Sequence, residues 1–220
     1  MKNLFIIANW KSNKTTQEAK EWFEKSLEFR VQSLENKEII ICPSFTVMSQ
    51  VKQFTKHYQL PFKLGAQDIS AFDEGSYTGD VNGKQIKEFA EYVIVGHSER
   101  RNNNKEDDLI LEKKVLKAKE YGLNVIYCVR SMDDIIPKNV FLVAYEPVFA
   151  IGTGTPDTPE NADAVSKELK QKYHIKNVLY GGSVTSTNVN SFTTLPHIDG
   201  VLVGKASLNL LEFSNIIQNA

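Results

Sequence analysis

Cysteine is scarce in this sequence. The 220 residues hold two, Cys42 and Cys128, each inside an apolar run and never as a CxxC pair. That excludes a disulfide framework and a thiolate metal knot, and predicts two reduced core thiols in a cytoplasmic protein. An excess of one charge is missing too. Lys+Arg 26 stands against Asp+Glu 27, a formal net charge of −1, and no run of five like charges occurs. A polybasic footprint for nucleic acid or membrane is thereby excluded. No apolar stretch approaches the ~18 residues of a membrane span. The run Leu4–Ala8 behind Lys2 also falls short of the ~7–15 residues of a signal-peptide core, because Asn9, Trp10 and Lys11 interrupt it. Of the four histidines, His57, His174 and His197 are scattered without ligand spacing, so no metal site is expected. No Pro/Gly/Ser-rich linker or low-complexity tract divides the chain, and residues 1–220 read as one domain. A core of that length buries about 70% of its unfolded surface and needs no staple.

What the sequence does hold is one unit repeated. Short β-branched apolar runs occur at Leu4–Ala8, Ile39–Cys42, Leu64–Ala66, Tyr92–Val95, Asn124–Val129, Val140–Ala144, Val178–Tyr180 and Gly200–Val203, each bounded by Gly, Pro, Asn or charge. Buried parallel strands have this pattern. Helical periods lie between them: Ala19, Phe23 and Leu27; Val47, Val51 and Phe54; Leu111, Val115 and Ala118; Ala162, Val165, Leu169 and Tyr173. Thr15 and Glu18 have capping-box spacing, and Thr158 stands before Pro159 at a helix start. Alternation of strand and helix implies a parallel sheet with helical crossovers, either an open doubly wound sheet or a closed (β/α)8 barrel. Eight strand candidates in one uninterrupted domain favour the barrel. The interval from Val129 to Val140 is near the lower limit of a crossover. Met132 to Ile136 offers one helical turn at most before Pro137, so the helix between strands five and six is expected to be rudimentary or missing.

In a (β/α)8 barrel the chemistry sits on the loops that follow the strands, and there the unusual polar residues occur. Strand one ends in Asn9-Trp10-Lys11, strand four in Gly96-His97-Ser98-Glu99-Arg100, strand six in Tyr145-Glu146-Pro147, strand seven in Gly181-Gly182-Ser183, and strand eight in Gly204-Lys205. A lone strand-end glutamate is most often an ion-pair partner, but Glu146 in this company is placed to take a proton from carbon. His97 could be a core histidine satisfied by backbone. Ser98-Glu99-Arg100 instead reads as a helical turn whose first amides would donate toward the imidazole and favour the neutral ring. Lys11 after a buried strand, with Glu99 as ion-pair partner, suits an anionic oxygen better than solvent. The Gly181-Gly182-Ser183 turn, its Ser183 hydroxyl and the turn at Gly204 offer donors for a phosphate. The segment Pro147, Val148, Phe149, Ala150, Ile151, Gly152, Thr153, Gly154 reads either as an ordinary connection or as a lid with an apolar tip.

These residues resemble the triosephosphate isomerase family. The match runs through Gly65-Ala66-Gln67-Asp68, Tyr77-Thr78-Gly79, Tyr180 to Val184 and Asp199 to Leu208, in order and over nearly the whole chain. The resemblance implies interconversion of dihydroxyacetone phosphate and D-glyceraldehyde 3-phosphate through an enediolate, without cofactor, in glycolysis and gluconeogenesis. It implies Glu146 as the base, His97 as the electrophile on the carbonyl, Lys11 with Asn9 on the oxyanion, and Glu99 orienting the lysine. Gly152, Ser183, Gly204 and the amide of Lys205 would hold the phosphate. It further implies a homodimer, with Tyr77 and Thr78 of the loop after strand three entering the partner. Arg130-Ser131 replaces the family's Gly-Glu, Phe149 its Trp, and Thr155-Pro156-Asp157 gives the lid an unusual second hinge. Lys205 stands where the family has glycine; its N–H survives, and a positive φ there would strain it.

Other classes remain open on these residues. One is a catalytically inactive phosphate-binding barrel used as a scaffold, and another is a different phosphate-sugar isomerase, epimerase or aldolase on the same fold. An aldolase would need a Schiff-base lysine inside the barrel, and no lysine interrupts the apolar runs read as strands; an epimerase would want paired acids or a metal. A nucleotide site at Gly152 and Gly154 lacks the third glycine and the Lys-Ser/Thr of a P-loop.

Overall fold

The apolar runs form eight parallel strands, β1 (Leu4–Asn9), β2 (Lys37–Cys42), β3 (Phe62–Ala66), β4 (Tyr92–Val95), β5 (Asn124–Val129), β6 (Leu142–Tyr145), β7 (Asn177–Tyr180) and β8 (Gly200–Val203). They close in sequence order into a barrel, β8 pairing back onto β1 with Phe5 opposite Gly200 and Ile6 opposite Val201. The computed structural model describes residues 2–26, 35–138, 140–150 and 156–220. The fold is the expected (β/α)8 barrel.

Side chains alternate along each strand, and the alternation builds two cores. Phe5, Ile7, Ile40, Cys42, Ile94, Ile126, Cys128, Leu142, Ala144, Leu179 and Leu202 fill the interior. Ile6, Ala8, Ile39, Ile41, Val93, Val95, Val143 and Val201 face the outer helices. Both cysteines are buried and free, as read. Among the described residues no helix is long and apolar enough to cross a membrane.

The outer layer follows the periodicities. In α1 (Thr16–Lys25) Ala19, Trp22 and Phe23 are buried, and Thr15 and Glu18 form the reciprocal capping box. Leu27, assigned to the same face, lies outside the described residues. Helix α2 (Phe45–His57) buries Val47, Met48 and Val51. The connection after β3 carries a one-turn helix, α3 (Gly83–Lys87). After β4 come α4 (Ser98–Asn103), too short to show a period in the sequence, and α5 (Asp108–Glu120), which buries Leu111, Val115, Ala118 and also Lys114. Helix α6 (Pro159–Tyr173) starts at Thr158, whose hydroxyl caps Asn161 N–H. The final helices are α7 (Val189–Thr193) and α8 (Leu210–Asn219).

Between β5 and β6 no helix forms among the described residues; Met132 and Asp133 make only a single turn, closed by the Asp134 N–H on the Ser131 carbonyl at 3.4 Å. Asp134 organises the segment instead. Its carboxylate accepts from the Arg130 N–H at 2.7 Å and the Arg130 guanidinium at 2.6 Å. Tyr127 and Tyr173 donate their hydroxyls to the carbonyls of Ile135 and Asp134, and Ile136 is buried against the barrel wall. Side-chain donors thus serve the backbone acceptors that a helix would have satisfied internally.

Candidate active site

The C-terminal ends of β1, β4, β6, β7 and β8 surround one cavity of about 880 Å³ whose lining includes Asn9, Lys11, His97, Glu146, Ser183, Gly204 and Lys205. The residues singled out at these strand ends are therefore neighbours in space.

Glu146 is 1% exposed. The Ser98 N–H donates to its Oε2 at 3.1 Å, and His97 Nε2 lies 3.2 Å from its Oε1. His97 is the N-cap of α4, and its Nδ1 accepts the Glu99 N–H at 3.3 Å. With a lone pair required on Nδ1, the ring proton sits on Nε2, aimed at the carboxylate. Behind the acid, burial first and then the Glu146 charge push the Cys128 thiol well above its usual range, so that it stays protonated as a hydrogen-bond donor to Glu146.

Gly181 and Gly182 read as room for a ligand, but the structure gives that room to protein. A Cβ on Gly181 would lie 2.9 Å from Glu146 Cγ, and one on Gly182 would lie 2.2 Å from the Tyr180 hydroxyl oxygen. The Ser183 hydroxyl is likewise engaged, donating to the Ala150 carbonyl at 2.8 Å. The backbone provides the open donors: among the described residues the N–H groups of Ser183, Gly204 and Lys205 have no acceptor. Lys205 is not among the residues at positive φ, so the strain conceivable at this position does not arise.

Strain sits at Lys11 instead, at φ 52°, a conformation uncommon for a residue with a long side chain. Its N–H donates to Asn9 Oδ1 at 3.1 Å, and its carbonyl accepts from Gln67 Nε2 at 2.9 Å. Gln67 also bonds the Cys42 carbonyl at 2.9 Å, which fixes β1 to β2 at the rim. The Lys11 ammonium lies 2.6 Å from Glu99 Oε1. Periodicity gave Gln67 no role, although its place just after a strand was the available signal.

The end of the 147–154 segment is held by a residue that the sequence marked only as unusual. Asp157 donates its N–H to the Tyr180 hydroxyl at 2.8 Å and accepts from Tyr145 at 3.3 Å and Asn161 Nδ2 at 2.7 Å. Burial, reinforced by the Asp157 charge, pushes the Tyr145 hydroxyl up to about 12, so it remains a donor. Of the segment itself, Val148–Ala150 form a 3-10 turn with Val148 and Phe149 exposed at the rim and Ala150 buried. Ile151, Gly152, Thr153 and Gly154 lie outside the described residues. Tyr77 and Thr78 are exposed on the β3 loop, away from the cavity, and Tyr77 stacks on Phe72 at 4.2 Å.

Asn9, Lys11, His97, Glu146, Ser183, Gly204 and Lys205 all reach the cavity from the carboxyl ends of strands or the turns just after them, which places the molecule in the class of (β/α)8-barrel enzymes. A carboxylate facing an imidazole N–H suits the movement of protons, the work of an isomerase. The particular family follows from comparison: the family model "Triosephosphate isomerase" matches residues 4–220, and the chain belongs to that family. It is 36% identical to a triosephosphate isomerase of Mesomycoplasma hyopneumoniae (strain 232), with 98% of each chain covered. It is 37% identical to that of Aquifex aeolicus (strain VF5), covering 96% of this chain and 97% of the relative. Identity to the triosephosphate isomerase of Thermus thermophilus is 34%, with 100% of both chains covered.

Proposed function

We propose that the protein interconverts dihydroxyacetone phosphate and D-glyceraldehyde 3-phosphate by proton transfer, serving glycolysis and gluconeogenesis in the cytoplasm as one domain spanning residues 1–220. The observation that carries this reading is the 3.2 Å approach of His97 Nε2 to Glu146, at a cavity that also holds Lys11 and three open backbone donors.

The phosphate is held by the N–H groups of Ser183, Gly204 and Lys205. Binding energy from this non-reacting end supports water exclusion and orientation at the carbons. Glu146 leaves the Ser98 N–H, turns into the cavity and takes a proton from C1 of the ketone. The C1–H electron pair becomes the C1–C2 double bond, and the carbonyl π pair moves onto O2. His97 Nε2–H donates to O2, and the Lys11 ammonium and Asn9 stabilise the developing negative charge. Glu99 keeps Lys11 in place. His97 passes its Nε2 proton to O2 and takes up the proton that O1 gives up, while Glu146 returns a proton to C2, so the aldehyde forms and both groups are restored. With dihydroxyacetone phosphate in deuterated water and no added cofactor, the product is expected to carry deuterium at C2. Turnovers in which Glu146 returns its proton before exchange leave C2 unlabelled, so deuterium at C3, or no product, is the result that would overturn the mechanism.

The β3 loop supports a homodimer. Phe72 and Tyr77 stack parallel with both rings 39% and 44% exposed, and the loop is braced by Asp73 to Lys117 at 2.5 Å and by Ser70 to Asp80 at 2.6 Å. A braced apolar tip loses little entropy on docking. Sedimentation is expected to give twice the monomer mass for the native chain and the monomer mass for Tyr77→Asp. A native monomer at micromolar concentration would refute the assembly.

A further inference from the structure

We propose that the side chain of Lys205, and not only its backbone N–H, sets the affinity for the phosphate end of the substrate and speeds its capture. The proposal rests on the reading of a phosphorylated substrate and extends it to a charge that the reaction itself does not require.

The charged residues lining the cavity are Lys11, Glu146, Lys205 and Glu212. Lys11 is paired at 2.6 Å with Glu99. Glu146 accepts from the Ser98 N–H, and Glu212 accepts from the N–H and hydroxyl of Ser186 at 2.7 and 2.9 Å. Among the described residues neither of these carboxylates has a lysine or arginine against it. Without Lys205, carboxylates would therefore outnumber ammonium groups around a cavity meant to receive a dianion. A guest of that charge would meet repulsion at the rim, against which the partial charges of three amides are a modest counterweight.

Lys205 reverses this balance. It is exposed, opens a short 3-10 turn (Lys205–Leu208) directly after Gly204, and has no carboxylate partner among the described residues. Its φ is not positive, so the side chain is carried without backbone strain. A flexible four-carbon stem lets the ammonium follow a phosphate that its own N–H and those of Ser183 and Gly204 hold. The position is close to the reacting end as well: a Cβ on Gly204 would lie 3.8 Å from Lys11 Nζ. The two ammonium groups thus divide the work, one neutralised by Glu99 and held at the carbonyl end, the other unpaired at the phosphate end. An unpaired cation at a cavity mouth also raises the encounter rate of anions, and salt screens that effect.

The test compares Lys205→Gln and Lys205→Arg with the native enzyme. Three measurements decide it: titration calorimetry with inorganic phosphate, the KM and kcat for D-glyceraldehyde 3-phosphate, and the salt dependence of kcat/KM. For Lys205→Gln we expect phosphate affinity to fall and KM to rise roughly threefold to tenfold, as for a charge-assisted contact at a partly exposed site. Its kcat should stay within about twofold, the sign of an interaction made equally in ground and transition states. The decline of kcat/KM with added salt should flatten, and Lys205→Arg should restore affinity and slope. Native phosphate affinity and salt slope in Lys205→Gln would overturn the proposal, and the isomerase reading would stand. Failure of the native protein to convert triose phosphates, with phosphate affinity still lowered in Lys205→Gln, would overturn that reading and uphold the lysine.

Discussion

Glu146→Gln is expected to lower kcat by about 10²–10⁴-fold, the range over which a positioned general base accelerates proton transfer. The substitution is isosteric and leaves an amide oxygen able to accept the Ser98 N–H, so the barrel and its thermal transition should change little. What disappears is basicity at the cavity. If the base acts only in the transition state, kcat and kcat/KM fall together while the inhibition constant of inorganic phosphate is unchanged. Glu146→Asp keeps a carboxylate but shortens its reach by one methylene, and its rate should lie between those of the Gln variant and the native enzyme. A Gln variant with near-native kcat would remove Glu146 from the chemistry and leave it as a partner of Ser98 and His97.

Much of this was legible because closure of the barrel turns a linear rule into a spatial one. Once each apolar run is a parallel strand, the residue after it lies on the same rim as the residues after the others. Asn9, Lys11, His97 and Glu146 could be gathered before any distance was known. Local helix chemistry also carried through. The Thr15 cap, the Thr158-Pro159 start and the Glu99 N–H to His97 Nδ1 contact depend on neighbours within a few positions.

What the pattern could not carry were partners chosen across the chain. The Ser183 hydroxyl meets Ala150, and Gly181 makes way for Glu146, because the segments after β6 and β7 compete for the same space. Asp134 takes over a crossover because Arg130, Tyr127 and Tyr173 converge on that segment. Lys114 is the clearest case. Position 114 falls on the face that runs through Leu111, Val115 and Ala118, but the charge of a lysine there reads as one that turns out to solvent. The structure buries it because carboxylates from two other segments point at it.

Those carboxylates make Lys114→Met a strongly destabilising change. Lys114 is 5% exposed, with its ammonium 2.6 and 2.8 Å from the Asp68 oxygens and 2.6 Å from Glu106 Oε1. Arg100 completes the cluster, 2.8 Å from Asp68 Oδ2 and 2.8 Å from Glu106 Oε1. Glu106 Oε2 is buried without a partner among the described residues, so that acid depends on contacts to one oxygen. Two bases balance two acids. Methionine fills a similar volume, so the cost comes from an uncompensated buried charge, about 3–5 kcal/mol when one partner of such a cluster is removed. The loss should depend on pH, and its sign follows from Asp68. Burial already raises that carboxyl above its ordinary 3.8, against the pull of Lys114 and then Arg100. Removing Lys114 raises it further. A group that binds its proton more tightly folded than unfolded costs stability as pH climbs from its unfolded value through its folded one. The destabilisation should therefore be largest at neutral pH and shrink as pH falls into the acid range, where Asp68 takes up a proton in the variant. Urea unfolding of both proteins at neutral and at acid pH measures it. Equal losses at both would show that Asp68 does not carry the cost. A loss below about 1 kcal/mol would put Lys114 with ordinary surface ion pairs.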